Sequence, residues 1–287
     1  MAPSADLKQL VNQMPELDRR ITKDKKVHIL GKLTGPLWDN AEKVYDKILK
    51  GGRDSIVGVI DMLAAIDDGR DYKARYVLHA IAAYVCRPGK EKHRKAVIEA
   101  VSSQIGGDRP KAIQRFLVRQ LQVCGDGRIA AALGKHLLDK DLYGPVAAAL
   151  VAIGEGAAEQ FRRALPKAKA KCRMTIVQSL GVVSDAASVE ALKQAAGEDD
   201  AFVRIAAVWA LANIGDAGSA SVLIKAADAK MGSWERIQAA KACLLLAEKL
   251  KAAGKKADAA KLYTHLRDTR KDPSESYIRD VAQKALR

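Results

Sequence analysis

The fold of this chain is decided by the stretch Val203-Arg204-Ile205-Ala206-Ala207-Val208-Trp209-Ala210-Leu211-Ala212-Asn213-Ile214-Gly215-Asp216. Apolar side chains recur along it at helical spacing, at Val203, Ala206, Ala207, Ala210, Leu211 and Ile214. This spacing forms one apolar stripe and predicts an amphipathic helix. Asp199 and Asp200 are candidates to cap the start of the helix, and Gly215 is typical of a helix end.

The same pattern recurs upstream at a constant interval. When residues 173–185 are aligned with residues 204–216, Arg, Leu and Asp coincide at an offset of 31 residues. Four helix ends, at residues 124–126, 153–155, 183–185 and 214–216, follow one another at intervals of 29, 30 and 31 residues. A period in this range is typical of helical repeats, in which each unit buries its apolar face against its neighbours.

The composition suits closely packed helices. Of the 287 residues, 48% are hydrophobic and only 5% are aromatic, and the formal net charge is +15. The chain has no uncharged apolar stretch of about 18 residues, so membrane insertion is not expected. The N-terminus has no apolar run of the signal-peptide type, which predicts a cytoplasmic protein. The alternative is an exported protein whose signal peptide has been removed.

Turn residues divide the chain into helices of similar length. Residues 1–36 are predicted to form an irregular or partly helical lead-in or cap, and residues 37–287 a single repeat domain. Its predicted helices cover residues 37–50, 54–67, 72–86, 90–105, 110–124, 128–138, 142–153, 157–165, 171–183, 188–196, 202–214, 219–227, 234–251, 255–267 and 275–286. An alternating strand–helix fold would need short β-branched runs between the helices, and the sequence has none. The predicted class is therefore all-α.

The unit Asp-x-x-Val-Arg-x-x-Ala-Ala-x-x-Ala-Leu-x-x-Ile-Gly-Asp, present from Asp200 to Asp216, resembles the HEAT repeat. It looks most like the short bacterial HEAT-like form first noted in phycobilin lyases. The resemblance covers residues 53–287, with decreasing precision towards the N-terminus. It implies a right-handed α-α superhelix, or α-solenoid, of about seven helical hairpins. In such a solenoid the helix that starts at Val-Arg lines the concave face.

The last hairpin departs from this pattern. The segment from Ala247 to Tyr263 looks like the turn of a tetratricopeptide repeat, which is also a helical hairpin. One more Val-Arg-type helix follows, at Tyr277-Ile278-Arg279, so that the sequence stops after half a repeat. This raises the hypothesis that the chain is a fragment of a longer protein.

A row of arginines is the clearest candidate for function. Arg173, Arg204, Arg236 and Arg279 stand at the same place near the start of successive helices of the predicted concave face. They could line the groove and bind phosphates or carboxylates. Alternatively, each pairs with an inter-helix aspartate and fixes the angle between repeats, the aspartates being Asp200, Asp216 and Asp228. HEAT-like repeats commonly use this arginine structurally, and the second interpretation is favoured.

Aromatic residues accompany three of these arginines. Phe202, Trp234 and Tyr277 each lie two residues before an arginine, whereas Lys171 takes this place before Arg173. They could form a stacking ladder for a peptide or for bases. A hydrophobic staple, in which each packs onto the first turn of its helix, is the favoured alternative.

A second apolar face accompanies the predicted core stripe. Phe202, Ile205 and Trp209 are spaced at i, i+3 and i+7, opposite the stripe, and Trp234 and Ile237 repeat the first two places. This pattern predicts an apolar patch on the concave surface. Burial against adjacent helices is the open alternative.

The helices of the N-terminal half carry a basic cluster. Its members are Lys73, Arg75, His79, Lys111, Arg115 and Arg119, of which Arg115 and Arg119 are one helical turn apart. Such a cluster favours an acidic partner or a phosphate backbone. A simple solvated face is the alternative.

The sequence offers no catalytic motif. The five histidines are scattered, and the four cysteines have no paired spacing, which predicts free structural thiols and no metal site. The alkylpurine DNA glycosylases share this kind of architecture, but Trp209 and Trp234 match their groove lining only loosely, and no catalytic aspartate can be assigned. We therefore predict a protein that is not an enzyme and needs no cofactor, with a DNA glycosylase as the alternative.

The predicted function is a binding scaffold for a protein or peptide partner, which could be acidic. Its apolar anchors would be Phe202, Ile205, Trp209 and Trp234. Charge steering would come from Arg173, Arg204, Arg236, Arg115 and Arg119. The alternative is nucleic-acid binding through the same basic groove.

Overall fold

A computed structural model describes residues 3–14, 16–17, 33–34, 38–65, 69–229 and 233–287. Sixteen α-helices lie in these ranges, and the predicted all-α fold of HEAT-like hairpins is confirmed. Most of the predicted lead-in, residues 1–36, lies outside the described residues. Contacts divide the chain into two compact units, the first ending at His136 and the second starting at Leu137. The extent of the repeat domain over residues 37–287 stays a prediction.

The first unit contains seven helices and a short strand pair among its described residues. The helices are α1 Ala5–Asn12, α2 Trp38–Lys50, α3 Gly52–Ile60, α4 Tyr72–Tyr84, α5 Glu91–Ser102, α6 Lys111–Cys124 and α7 Ala130–Gly134. Strands β1 (Glu16–Leu17) and β2 (Leu33–Thr34) pair antiparallel, which was not predicted. Helix α3 packs against α5, and α4 against α6. Arg94 donates to the carbonyls of Cys124 and Gly125, which would otherwise be unpaired at the end of α6.

The second unit contains nine helices among its described residues. They are α8 Tyr143–Ile153, α9 Ala157–Ala164, α10 Ala170–Val182, α11 Val189–Ala195, α12 Ala201–Ile214, α13 Ala220–Asp228, α14 Ser233–Ala252, α15 Lys256–Thr269 and α16 Ser276–Ala285. Helices α8, α10, α12, α14 and α16 pack side by side in chain order, and α9, α11, α13 and α15 pack behind them. We call the first set the even row. It corresponds to the helices that the sequence assigned to the concave face.

Helix α12 begins and ends where its sequence predicts. The Asp200 carboxylate accepts hydrogen bonds from the backbone N–H groups of Phe202 (2.9 Å) and Val203 (3.4 Å), which caps the helix start. Gly215 ends the helix with a φ of 79°, a conformation that favours glycine. The predicted core stripe is buried except for Ile214, which is half-buried. Val208 is also buried, because α12 lies between two neighbours in the even row.

Two local features shape the junctions between repeats. The turns that precede α11 and α13 are alike: Ser188 donates to Asp185, and Ser219 donates to Asp216. Between α10 and α12 the backbones come unusually close, since a Cβ added to Gly181 would lie 2.5 Å from the Cα of Ala210. Any larger residue at Gly181 would therefore push the two helices apart.

Candidate interaction surface

Phe202, Trp234 and Tyr277, which we call the aromatic ladder, all lie at the surface. Each is the second residue of its helix, in α12, α14 and α16. Their exposed fractions are 61%, 53% and 44%. The rings of Phe202 and Trp234 meet edge to face, with centroids 6.0 Å apart, and the Lys241 ammonium lies 5.7 Å from the centroid of Tyr277. The side chains are thus exposed rather than buried as staples, and the first two touch across successive repeats.

The remainder of the predicted apolar patch is only partly accessible. Ile205 and Trp209, one and two turns further along α12, are half-buried, and Ile237 of α14 is half-buried as well. The two alternatives for this face, an exposed apolar patch and burial against adjacent helices, therefore each hold in part. Phe202 is exposed at the helix start, whereas the residues behind it pack between helices.

Three arginines of the predicted row pair with glutamates of the following repeat. Arg173 donates from Nε and Nη2 to Glu198 at 2.5–2.9 Å. Arg204 donates to Glu235 from Nε (2.6 Å) and Nη2 (2.9 Å), and Nη1 reaches the carbonyl of Glu198 at 2.7 Å. Hydrogen bonds to these carboxylates raise the pKa of both arginines above the ordinary value. The pairs bridge α10 to the start of α12, and α12 to α14.

The row continues with Arg236, whose Nε donates to the buried Glu275 at 2.9 Å. Asp272 lies 3.9 Å from the same guanidinium. Among the described residues, the ion-pair partner of Arg279, in the last helix, is its sequence neighbour Asp280, at 3.1 Å. Three of the four arginines therefore link consecutive repeats, as the structural interpretation of the row predicts.

The predicted acceptors of these arginines were wrong. Asp200 caps α12, and Asp216 accepts from Ser219. Asp228 pairs with Arg270, a buried residue that the sequence did not single out. The contacts of Asp200 and Asp216 are within their own turns, as is common for a short side chain that bonds to nearby groups.

Sequence reasoning missed the three acceptor glutamates because they have no common spacing. Glu198, Glu235 and Glu275 lie 25, 31 and 39 residues after their arginines. They share only a position at or just before the start of an even-row helix. No periodic signal could have identified them, although Glu235 stands beside Arg236 in the sequence.

A cavity of about 430 Å³ lies among α11, α12, α13 and α14. The pair formed by Arg204 and Glu235 is part of its wall, together with Ile205 and apolar residues of α13 such as Val222. Lys193 and Lys225 stand at its border, where Lys193 is paired with Glu190. The combination of an apolar floor with a few charged groups is common in sites that bind a small molecule or one side chain.

The predicted basic cluster of the first unit is only partly available. Arg75 is paired with the buried Asp71 at 2.9 Å, and its guanidinium lies 5.0 Å from the ring centroid of Phe116. Lys73 donates to the carbonyl of Asn12. His79 lies 3.0 Å from the side-chain oxygen of Gln120. Lys111 is half-buried at the start of α6.

Arg115 and Arg119, by contrast, are exposed on α6, a helix without any acidic residue. Within the described part of the chain, neither has an ion-pair partner. These two guanidinium groups are the part of the predicted cluster that remains open to a ligand.

The cysteines are free thiols in the described structure. Burial raises the pKa of Cys124 and of Cys243 to about 12, and burial also raises the pKa of Cys172. Cys86 is the exposed one. Over the described ranges, no three residues among His, Cys, Asp and Glu come together as they would to hold a metal ion.

Comparisons with known proteins identify the repeats. Residues 158–243 match the family model described as HEAT repeats. The structure is similar to human deoxyhypusine hydroxylase in complex with glycerol, with 11% identity over 98% of this chain and 96% of that chain and a TM-score of 0.36. It is also similar to the CpcE and CpcF complex of phycocyanin lyase from Nostoc sp. PCC7120, with 16% identity over 91% and 94% and a TM-score of 0.37. No curated protein sequence matches the chain at a significant level.

These comparisons correct one prediction. The similar structures include a hydroxylase and a lyase, which contradicts the prediction that the chain is not an enzyme. As for membranes, none of the helices in the described ranges is both long and apolar enough to cross a bilayer.

Proposed function

We propose that this chain, whose residues 158–243 are HEAT repeats, binds a protein or peptide partner on the aromatic ladder of its second unit. The observation that carries the proposal is the exposure of Phe202 and Trp234, which stay more than half exposed although they touch each other across two repeats. Exposed aromatic pairs of this kind are typical anchors of protein interfaces. The partner is a protein or peptide rather than a membrane.

In this proposal the paired arginines position the helices and do not steer the partner by their charge. Arg204 and Arg236 are engaged with glutamates, so they contribute little net charge towards a partner. Instead they hold the starts of α12, α14 and α16 in fixed positions, and with them the rings of the ladder. A binding surface that is already rigid before the partner binds loses less conformational entropy on binding.

The cavity offers a place for one side chain of the partner. Its volume of about 430 Å³ falls within the range of pockets that take small ligands. Ile205 and Val222 would contact an apolar side chain there, while Phe202 and Trp234 would contact another part of the partner. The partner would thus be anchored both on the ladder and in this cavity.

The test uses peptides selected for binding from a random library displayed on phage. The selected peptides are synthesised, and their affinities for the wild-type protein and for W234A are measured by fluorescence anisotropy. Loss of an aromatic anchor of this type costs at least about 2 kcal/mol, so W234A should bind roughly 30-fold more weakly. V182A is the matched control, because Val182 is also more than half exposed but lies at the C-terminal end of α10, whereas the ladder lies at helix starts.

Circular dichroism verifies that both variants keep the wild-type helicity. Selected peptides that bind W234A as tightly as they bind the wild type would contradict the proposal. If V182A lowers the peptide affinity as much as W234A does, the proposal is also contradicted, because binding would then not be specific to the aromatic ladder.

The exposed arginines of α6 favour a second function, the binding of nucleic-acid phosphates by the first unit. R115Q/R119Q is compared with K92Q/K95Q, which removes the same charge from α5. A duplex oligonucleotide should bind the wild type with an affinity that falls steeply with salt, and R115Q/R119Q should lower the slope by about 1.8. Absence of binding at about 50 mM salt, or an equal loss in both variants, would exclude this function.

A further inference from the structure

The aromatic ladder has a fourth position, which a lysine occupies. Lys171 is the second residue of α10, as Phe202 is of α12 and Trp234 of α14. Helices α10 and α12 are closely packed neighbours in the even row, and the Gly181 contact brings their backbones together. From α12 to its neighbour α10, the residue at this helix position therefore changes from an aromatic ring to a lysine.

Lys171 belongs to a set of three alternate lysines, Lys167, Lys169 and Lys171, which we call the lysine row. All three side chains are exposed, and they lie in the turn and first residues that connect α9 with α10. The sequence contains no acidic residue between positions 160 and 184. Lys169 occupies the position before α10 that Asp200 occupies before α12. The carboxylate that caps α12 therefore has a lysine of the lysine row as its counterpart at α10.

The other cations of this region are already paired. Arg162 pairs with Asp185 at 2.5 Å, Arg163 with Glu159 at 2.5 Å, and Arg173 with Glu198. In the part of the chain that the structure describes, the lysine row has no carboxylate partner. Three like charges so close together repel one another, and that repulsion would be relieved by an anionic ligand.

We infer that the partner carries acidic side chains next to its apolar anchor, on the side that faces α10. The inference rests on the proposed function and specifies the chemistry of the partner. Neighbouring helices are about 8–10 Å apart, and an extended chain advances about 3.3 Å per residue. An aspartate or glutamate that meets the lysine row therefore lies roughly three residues from the residue that meets Phe202 and Trp234.

The chemistry of the surface favours an acidic protein segment over a nucleic acid. A single-stranded nucleic acid would need free cations along the whole row of rings on which its bases stack, whereas the arginines beside Phe202 and Trp234 are paired with glutamates and the lysine row lies only at α10. Protein interfaces combine a central aromatic anchor with charges at the rim, and the charges there set orientation and partner choice. The lysine row would thus decide in which direction the segment lies across the helices.

The test repeats the selection of displayed random peptides on three forms of the full chain. They are the wild type, a variant in which the lysine row is changed by K167Q/K169Q/K171Q, and the control K249Q/K255Q/K256Q. The control removes the same charge from exposed lysines at the other end of α14 and the start of α15. Wild type and control should enrich peptides with Asp or Glu about three residues from an apolar residue, and the lysine-row variant should not.

Synthetic peptides then give the size of the effect. Changing the enriched acids to their amides should weaken binding to the wild type about tenfold at low salt, and leave binding to the lysine-row variant nearly unchanged. Enrichment of apolar residues alone, with binding that still depends on Trp234, would overturn this inference and leave the proposed function intact. Failure to obtain any peptide whose binding depends on Trp234 would overturn both. Equal enrichment of acids on all three forms would show diffuse attraction by net charge, and would overturn the inference alone.

Discussion

Replacement of Arg204 by methionine tests whether the arginine row joins the repeats. Methionine keeps most of the aliphatic stem, so the change removes chiefly the guanidinium and its hydrogen bonds to Glu235 and to two backbone carbonyls. The two side chains are only 16% and 14% exposed, so Glu235 would be left with little water and no counter-charge. We expect the free energy of unfolding to fall by about 3 kcal/mol, a value between the costs of breaking exposed and buried ion pairs.

The matched control is R163M. Arg163 pairs with Glu159 at 2.5 Å, but within one helix and with exposed fractions of 67% and 51%. Pairs of that kind contribute no more than about 0.5 kcal/mol. The comparison therefore separates a link between repeats from an ordinary surface ion pair of similar length.

Thermal unfolding of the second unit is followed by tryptophan fluorescence, since two of the three tryptophans, Trp209 and Trp234, lie there. R204M should lower the midpoint by roughly 6–12 °C, and R163M by no more than about 2 °C. If R204M costs no more than R163M, the argument that the arginines link repeats is refuted. Arg204 would then again be a candidate for direct contact with a ligand.

Three further predictions concern packing, thiol reactivity and pH. G181A should destabilise the protein by about 1–2 kcal/mol in urea titrations because of the close helix contact, whereas G144A, whose new Cβ meets open space, should be neutral or stabilising. A thiol reagent should label the exposed Cys86 rapidly, and the buried Cys243, whose pKa burial raises to about 12, only after unfolding. A hydrogen bond from Arg128 lowers the pKa of Asp126 below 3.8, so the ionised form stabilises the fold above that pH. The stability advantage of the wild type over D126N should disappear as the pH falls through the folded-state pKa, as measured by thermal midpoints.

The fold could be predicted because its signals are local. The limits of α12 follow from Asp200 and Gly215, and both residues act within their own turn. Turn residues then placed the remaining helices to within a few residues in most cases. The segment after α6 was less regular than predicted, since only a short 3₁₀ turn and α7 form where one longer helix was expected.

The candidate site could be predicted only in part, because its decisive contacts are not local. The position of Trp234 in the ladder follows from periodicity, but its exposure depends on how the neighbouring repeat packs. The acceptors of the arginine row are unevenly spaced glutamates, whereas spacing alone pointed to Asp200, Asp216 and Asp228, which have other partners. The importance of Lys171 became clear only once Arg173 was found to be paired.

The direction of the arginine–glutamate pairs bears on how such a chain could gain or lose length during evolution. Each pair takes its cation from one repeat and its anion from the next, so every junction along the row is of the same kind. Duplication or deletion of one whole repeat would leave each internal arginine beside an acceptor. A break within a repeat would instead separate a cation from its acceptor. The second unit would therefore gain or lose length by whole repeats, and the number of aromatic residues in the ladder would change with them.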